Sequence, residues 1–188
     1  MATLIVGLIV FLGIHLLPAF PNVRAGLLTR WGERRYKGLF ALVSLVGFAL
    51  IIAGYIVADR GRQLFAPMPG AVAIAPYAMP IAFILFAAGN MRGHLRQTLK
   101  HPMLIGLLIW SGVHLLANGD LRGTVLFGAF LAYAIVDLFS VISRRAVKPF
   151  ELTPRHDVIA VVAGIVVALI FMTFHRVLFG VRVVPFGI

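Results

Sequence analysis

Gly7-Leu8-Ile9-Val10-Phe11-Leu12-Gly13-Ile14-His15-Leu16-Leu17 reads almost residue for residue as Gly106-Leu107-Leu108-Ile109-Trp110-Ser111-Gly112-Val113-His114-Leu115-Leu116. Six of the eleven positions are identical, and four more exchange one apolar residue for another. Leucine identities mean little in a chain that is 61% hydrophobic. Two glycines, one histidine and an aromatic residue four places before the histidine mean more. Both stretches lie within long apolar runs, where a histidine is costly unless it has a partner or a task. A matched pair implies a shared task.

Only 12% of the 188 residues are charged, far below the usage of a soluble domain, so the solvent for most of the chain is lipid. Six apolar segments follow, at about 2–19, 38–58, 71–90, 102–118, 122–142 and 157–179, each near the ~20 residues that cross a bilayer. Only helices and closed barrels satisfy their backbone in hydrocarbon, so these segments predict an all-α integral membrane protein, a six-span helical bundle forming one domain over residues 1–188. The fourth segment is short: it stands with little tilt in a thinned bilayer, or it is a buried helix that stops short of crossing. No Lys or Arg precedes the first segment and no A-x-A site follows it, so it reads as a retained span rather than a signal peptide. The absence of cysteine excludes disulfides, thiolate metal sites and cysteine nucleophiles.

A formal charge of +11 suggests nucleic acid, but its distribution argues against that partner. Twelve of the 17 basic residues fall in three alternate loops: Arg24, Arg30, Arg34, Arg35 and Lys37; Arg92, Arg96 and Lys100; Arg144, Arg145, Lys148 and Arg155. Arg60, Arg62, Arg122, Arg176 and Arg182 lie on the other side. This is the positive-inside bias of a bacterial inner-membrane protein, with both termini in the periplasm. Anionic membrane lipid accounts for the charge.

Span one then runs inward and span four outward, so the two histidine stretches point in opposite directions. That is the signature of a 3+3 inverted repeat about an axis in the membrane plane. Counting ~1.5 Å per residue from the span ends puts His15 and His114 a few Å either side of the midplane, roughly 7–8 Å apart in depth. Two imidazoles at that spacing are within reach of one central metal ion. Phe11 and Trp110 share the helical face of the histidine that follows each of them. Gly7 and Gly106 admit another backbone or a flat ligand. Asn118, one turn past His114, is placed to hydrogen-bond the ligand or to orient the ring.

Histidines in lipid without cysteine leave three options open: axial ligation of haem by two neutral imidazoles, a non-haem metal, for which the midplane offers too few carboxylates, or structural hydrogen bonds across helices. His101, before Pro102, reads as an interfacial cap or as a second ligand or substrate contact. His94 and His156 read as solvated, and His175 as interfacial. Asp137 is the one carboxylate inside a span; it stays protonated or pairs, with Arg144, His101 or the far nitrogen of His15. Arg24 and Arg122 are either ordinary interfacial arginines or the cations that haem carboxylates need. Asn118-Gly119-Asp120 reads as a tight turn.

At Gly13-Ile14-His15-Leu16-Leu17-Pro18-Ala19, Gly32-Glu33 with Tyr36-Lys37, Gly54-Tyr55, His101-Pro102-Met103-Leu104, and Trp110 through His114-Leu115-Leu116-Ala117-Asn118-Gly119-Asp120, the chain resembles the NnrU family. The resemblance covers essentially the whole chain and implies a link to denitrification through nitrite and nitric oxide. That family is similar to plant 15-cis-zeta-carotene isomerase, a membrane enzyme using haem b held by two histidines, one of which can switch. The resemblance implies that His15 and His114 are the ligands and that His101 matches a further histidine of that enzyme. A second resemblance, of Lys100-His101-Pro102 with Gly106 to isoprenylcysteine-type membrane methyltransferases, lacks a partner motif for a methyl donor.

The expected function is therefore haem b binding through His15 and His114, with Phe11, Trp110, Asn118 and His101 around the cofactor. It would serve a redox-sensitive role in nitrogen-oxide metabolism or isomerase-like chemistry on a lipophilic small molecule. The alternatives are a non-enzymatic assembly or electron-transfer partner of a nitric oxide reductase system, a small transporter, and a methyltransferase.

Overall fold

The computed structural model describes residues 1–147, 149–181 and 183–184; Lys148 and Arg182, both counted in the charge pattern above, lie outside them. Seven α-helices occur among these residues: α1 (Ala2–Leu16), α2 (Pro21–Val57), α3 (Pro69–Gly89), α4 (His94–Leu99), α5 (Pro102–Asn118), α6 (Leu121–Ser143) and α7 (Arg155–Phe179). Five of them, α1 with the short 3₁₀ turn Leu17–Ala19 that continues it, α2, α3, α6 and α7, are long and apolar enough to cross a membrane. The shorter apolar helix α5 covers the expected residues 102–118. Its 17 residues rise about 26 Å, a little under the ~30 Å hydrocarbon core.

The expected loop between the first two segments is helical instead. Pro21 starts α2 at a position where its missing N–H costs nothing, and the helix runs to Gly32, whose φ of 73° and ψ of 160° break it. Residues 33–57 then form the crossing segment. The basic residues of 24–37 are thus carried on two helical pieces.

Packing shows which solvent the chain is built for. The most enclosed positions are dominated by small residues, among them Ala82, Ala134, Ala160 and Ala168, each at 0% exposure. Val57, Ile56 and Phe139 are more than 70% exposed. Small residues inside and large apolar ones outside is the pattern of helices associating in lipid. Gly7 lies on the α2 backbone at Leu50 and Ile51, Gly47 on the α1 backbone at Phe11, and Gly54 on Leu4. In the other half Gly106 lies on the carbonyl of Ala82, and Gly164 on Ile84.

The helices pack in the order α2, α1, α6, α5, α3, α7. Exchanging the halves maps the α1–α2 pair onto α5–α6, as the repeat requires. It does not map α3–α5 onto a comparable α7–α1 contact. The histidine stretches are thus alike locally while the helices around them pack differently.

Loops meet in pairs on two faces. On one, Arg92 and the start of α4 join the α6–α7 connection: the Thr153 N–H donates to the Arg92 carbonyl (2.8 Å) and the Arg92 N–H to His156 Nδ1 (3.0 Å). The Asp157 carboxylate accepts from the His94 N–H (2.7 Å), the Leu95 N–H (3.0 Å) and His94 Nδ1 (2.9 Å). His94, exposed, and His156, half-buried, are therefore tied, not merely solvated; sequence spacing carries no trace of partners more than sixty residues away. On the other face the α2–α3 connection meets the α5–α6 turn, with Leu64 N–H to Gly119 O (2.8 Å) and Leu121 N–H to Arg62 O (3.0 Å). Gly119, at φ 74°, and the Asp120 side chain capping the Gly123 N–H (2.7 Å) form the expected tight turn. α5 thus connects the two loop faces.

Arg122 fastens that second face. Its Nη1 donates to the carbonyls of Tyr55 and Ala58, both at 2.9 Å, and the guanidinium lies 4.1 Å from the Tyr55 ring centroid. This completes the C-terminal carbonyls of α2 with a cation, where the helix dipole favours one. Arg122→Gln is expected to lower stability by about 2 kcal/mol, since it removes charged hydrogen bonds to half-buried carbonyls. Thermal unfolding in detergent measures the loss.

Candidate functional site

Leu4, Leu8, Phe11 and His15 repeat at helical spacing along one stripe of α1. Leu4 and Leu8 pack with Ile51 of α2 and with Leu126 and Phe127 of α6 in the apolar core. The stripe carries His15 to the end of α1, where the ring lies 4.3 Å from Phe11 and 5.3 Å from Phe40 of α2, centroid to centroid. In α5 the corresponding ring of His114 lies 5.3 Å from Trp110 and 4.8 Å from Phe127 of α6. Each histidine thus has an aromatic neighbour one turn earlier and another on the next crossing helix in sequence.

The hydrogen bonds are matched as well. His15 Nδ1 bonds the Phe11 carbonyl at 2.6 Å, and His114 Nδ1 bonds the Trp110 carbonyl at 2.8 Å. A carbonyl only accepts, so Nδ1 carries the proton in both rings. In the neutral imidazole the lone pair is then on Nε2, and neither Nε2 has a hydrogen-bond partner among the described residues. The backbone here does what an orienting carboxylate does in other metal sites: it fixes tautomer and ring together.

Phe130 of α6 joins the two sites. Its ring lies 6.0 Å from Phe11 and 5.5 Å from Trp110. α1 runs parallel to α6, with Phe11 level with Phe130, so His15 stands level with residue 134. His114 stands level with Phe127. The two histidines therefore differ in depth by about seven residues of α6, or roughly 10 Å. That is close to the spacing expected from the span ends, with an aromatic layer of Phe11, Phe130 and Trp110 between the two levels.

The remaining expected site residues fall differently. Asn118 Nδ2 donates to the His114 carbonyl (2.7 Å) and its own carbonyl accepts from Gln63 Nε2 (2.8 Å), so its amide closes the end of α5 rather than bonding the ring. Gly7 and Gly106 accept a neighbouring backbone, the first of the two uses foreseen for them. His101 is the N-cap of α5, at the opposite end of that helix from His114. Asp137 is bonded by the Tyr133 hydroxyl (3.2 Å) rather than by any of the three expected partners, while Arg144 turns to Ser140 Oγ (3.2 Å). Arg24 lies 5.9 Å from the Tyr36 ring. Arg122 is spent on α2 carbonyls. His175 Nδ1 bonds the Val181 carbonyl (2.9 Å).

Two open grooves flank α1. One, of about 470 Å³, is lined by Phe11, Phe40, Ala41, Ser44, Leu45 and Phe48; the other, of about 410 Å³, lies between α1 and α6. Neither is lined by His15 or His114. No group of three or more His, Asp or Glu side chains is placed to hold a metal ion among the described residues. A metal needing a full set of protein ligands is therefore not suited by these residues. An iron porphyrin needs only axial donors, and the two imidazoles with unpartnered Nε2 atoms are of that donor type.

No curated protein and no solved structure matches the chain. A family model described as NnrU protein matches residues 3–183, nearly the whole chain, which belongs to the NnrU family.

Proposed function

We propose that this is a six-span protein of the bacterial inner membrane, both termini periplasmic, that holds haem b through Nε2 of His15 and His114. The single observation that carries the reading is the matched histidine pair: same tautomer, same carbonyl bond one turn back, same aromatic flank, on two helices of opposite direction. Haem b held there would supply a redox-active iron that, once one histidine lets go, can bind nitric oxide or act as a Lewis acid on a lipophilic polyene. The chain's own residues do the rest. The Phe11 and Trp110 carbonyls fix the tautomer and orientation of the imidazoles, and Phe11, Phe40, Trp110, Phe127 and Phe130 keep water from the centre. The biological setting we propose, from family membership, is nitrite and nitric oxide metabolism.

A second reading is favoured by the ring sequence His15, Phe11, Phe130, Trp110, His114, in which neighbouring centroids are 4.3 to 6.0 Å apart. Such a layer suits passive electron transfer to a membrane redox partner such as a nitric oxide reductase system. Absorption spectra of the protein purified in mild detergent from haem-replete cells, oxidised and reduced, test the main reading. A Soret band that shifts on reduction is expected. Its absence sinks the proposal. Nitric oxide exchanging onto the reduced protein favours ligand chemistry over electron transfer.

A further inference from the structure

Leu126, Phe130, Tyr133 and Asp137 lie along one stripe of α6, at spacings of four, three and four residues. The stripe begins in the apolar core, passes the aromatic layer at Phe130 and ends in two polar side chains toward the face where α5 starts. There the Tyr133 hydroxyl donates to Asp137 Oδ2 at 3.2 Å. Both residues are half-buried. A carboxylate in a membrane span is costly, and its presence points to a working proton or ion site rather than to packing.

α5 runs antiparallel to α6 with Trp110 packed on Phe127 and Phe130, so His101, nine residues before Trp110, stands about level with Asp137, and the Asp137 charge acts on it. Burial holds the His101 imidazole below its ordinary pKa, opposed by Asp137; Lys100 and Arg96 beside it lower it further. The backbone that places it there is strained. Lys100 has φ 61° and ψ −48°, and the His101 N–H closes onto the Leu99 carbonyl at 2.6 Å, a tight γ-turn of the rare hand. Such conformations persist where the surroundings require them, and cluster at functional positions. Pro102 then starts α5 at once, fixing His101 as its N-cap. The turn Leu17–Ala19, which also packs on α6, brings no titratable group, and His15 stands about one turn nearer the centre.

We propose that Asp137, held by Tyr133 and faced by His101, is a proton-exchange site that opens to the basic-loop face of the membrane. His101 passes the proton between that face and Asp137, and Tyr133 fixes which carboxylate oxygen receives it. Supply of protons to the paired histidines is a further use of this site that rests on the function proposed above.

Infrared spectroscopy of the purified protein in lipid tests the site independently of that function. A protonated carboxyl band that titrates with pH is expected, absent in Asp137→Asn and moved in frequency in Tyr133→Phe. Its deuterium exchange is expected to slow severalfold in His101→Gln. Asp137→Asn leaving every carboxyl band in place, or exchange proceeding at the same rate in His101→Gln, overturns the proposal. Asp137→Asn is isosteric; should it fail to fold, the frequency shift in Tyr133→Phe decides the assignment, and an unmoved band counts against it.

Discussion

His114→Ala is expected to abolish tight haem binding. The imidazole it removes is oriented by the Trp110 carbonyl and enclosed by Trp110 and Phe127, so no other side chain is poised to replace its Nε2. The alanine leaves an apolar gap with no donor. His15→Ala is expected to have the same sign and a smaller effect, because α1 ends at Leu16 and the following turn can readjust. His94→Ala should leave the spectrum unchanged, because its ring serves Asp157 at the basic-loop face. Haem retention after gel filtration, read as Soret absorbance per chain, orders the three variants: His94→Ala equal to the parent, His15→Ala reduced, His114→Ala at background.

The second large effect concerns stability, and the repeat supplies its own control. A methyl group at Gly7 would lie 2.6 Å from Ile51 N and 2.8 Å from Leu50 C, and one at Gly106 would lie 2.8 Å from Ala82 O. Those atoms are backbone and cannot swing away, so the helices must separate. Gly7→Ala and Gly106→Ala are therefore expected to destabilise by about 1–3 kcal/mol each, the range for overpacking. Gly13 and Gly112, the other matched pair, meet nothing within 4 Å. Gly13→Ala and Gly112→Ala should be neutral or slightly stabilising, since alanine is the better helix former by about 1 kcal/mol. Thermal unfolding of the four variants in one detergent gives the comparison. Equal losses at all four positions would remove the close-approach account of the two interfaces.

Much of the fold is legible because a membrane span announces itself by length and apolarity alone. The observed bounds of α5 coincide with the apolar run, and those of α1, α3, α6 and α7 lie within three residues of theirs. The helical residues 21–32 are illegible by that criterion: their arginines read as loop, although Pro21 was the start signal and Gly32 the break. At the site, the histidine pair and its aromatic residues one turn back are written in the repeat. Phe130 is not, because it belongs to a third helix and only packing brings it between Phe11 and Trp110. Tyr133 and Asp137 are four residues apart on one helix, a spacing that allows a hydrogen bond, so that partnership could have been read directly. The ties of Asp157 to His94 and Leu95 span more than sixty residues and leave no local mark.

The central claim is that one iron is held by two histidines from the two halves of the chain. Low-temperature electron paramagnetic resonance of the oxidised, haem-loaded protein, with near-infrared magnetic circular dichroism, identifies both axial ligands directly. The account predicts a low-spin ferric iron with bis-imidazole signatures, converting to a single-histidine high-spin or water-ligated form in the haem that His15→Ala retains, and no haem signal in His114→Ala. A bis-imidazole signal that survives either substitution, or a parent spectrum with only one histidine ligand, would contradict it.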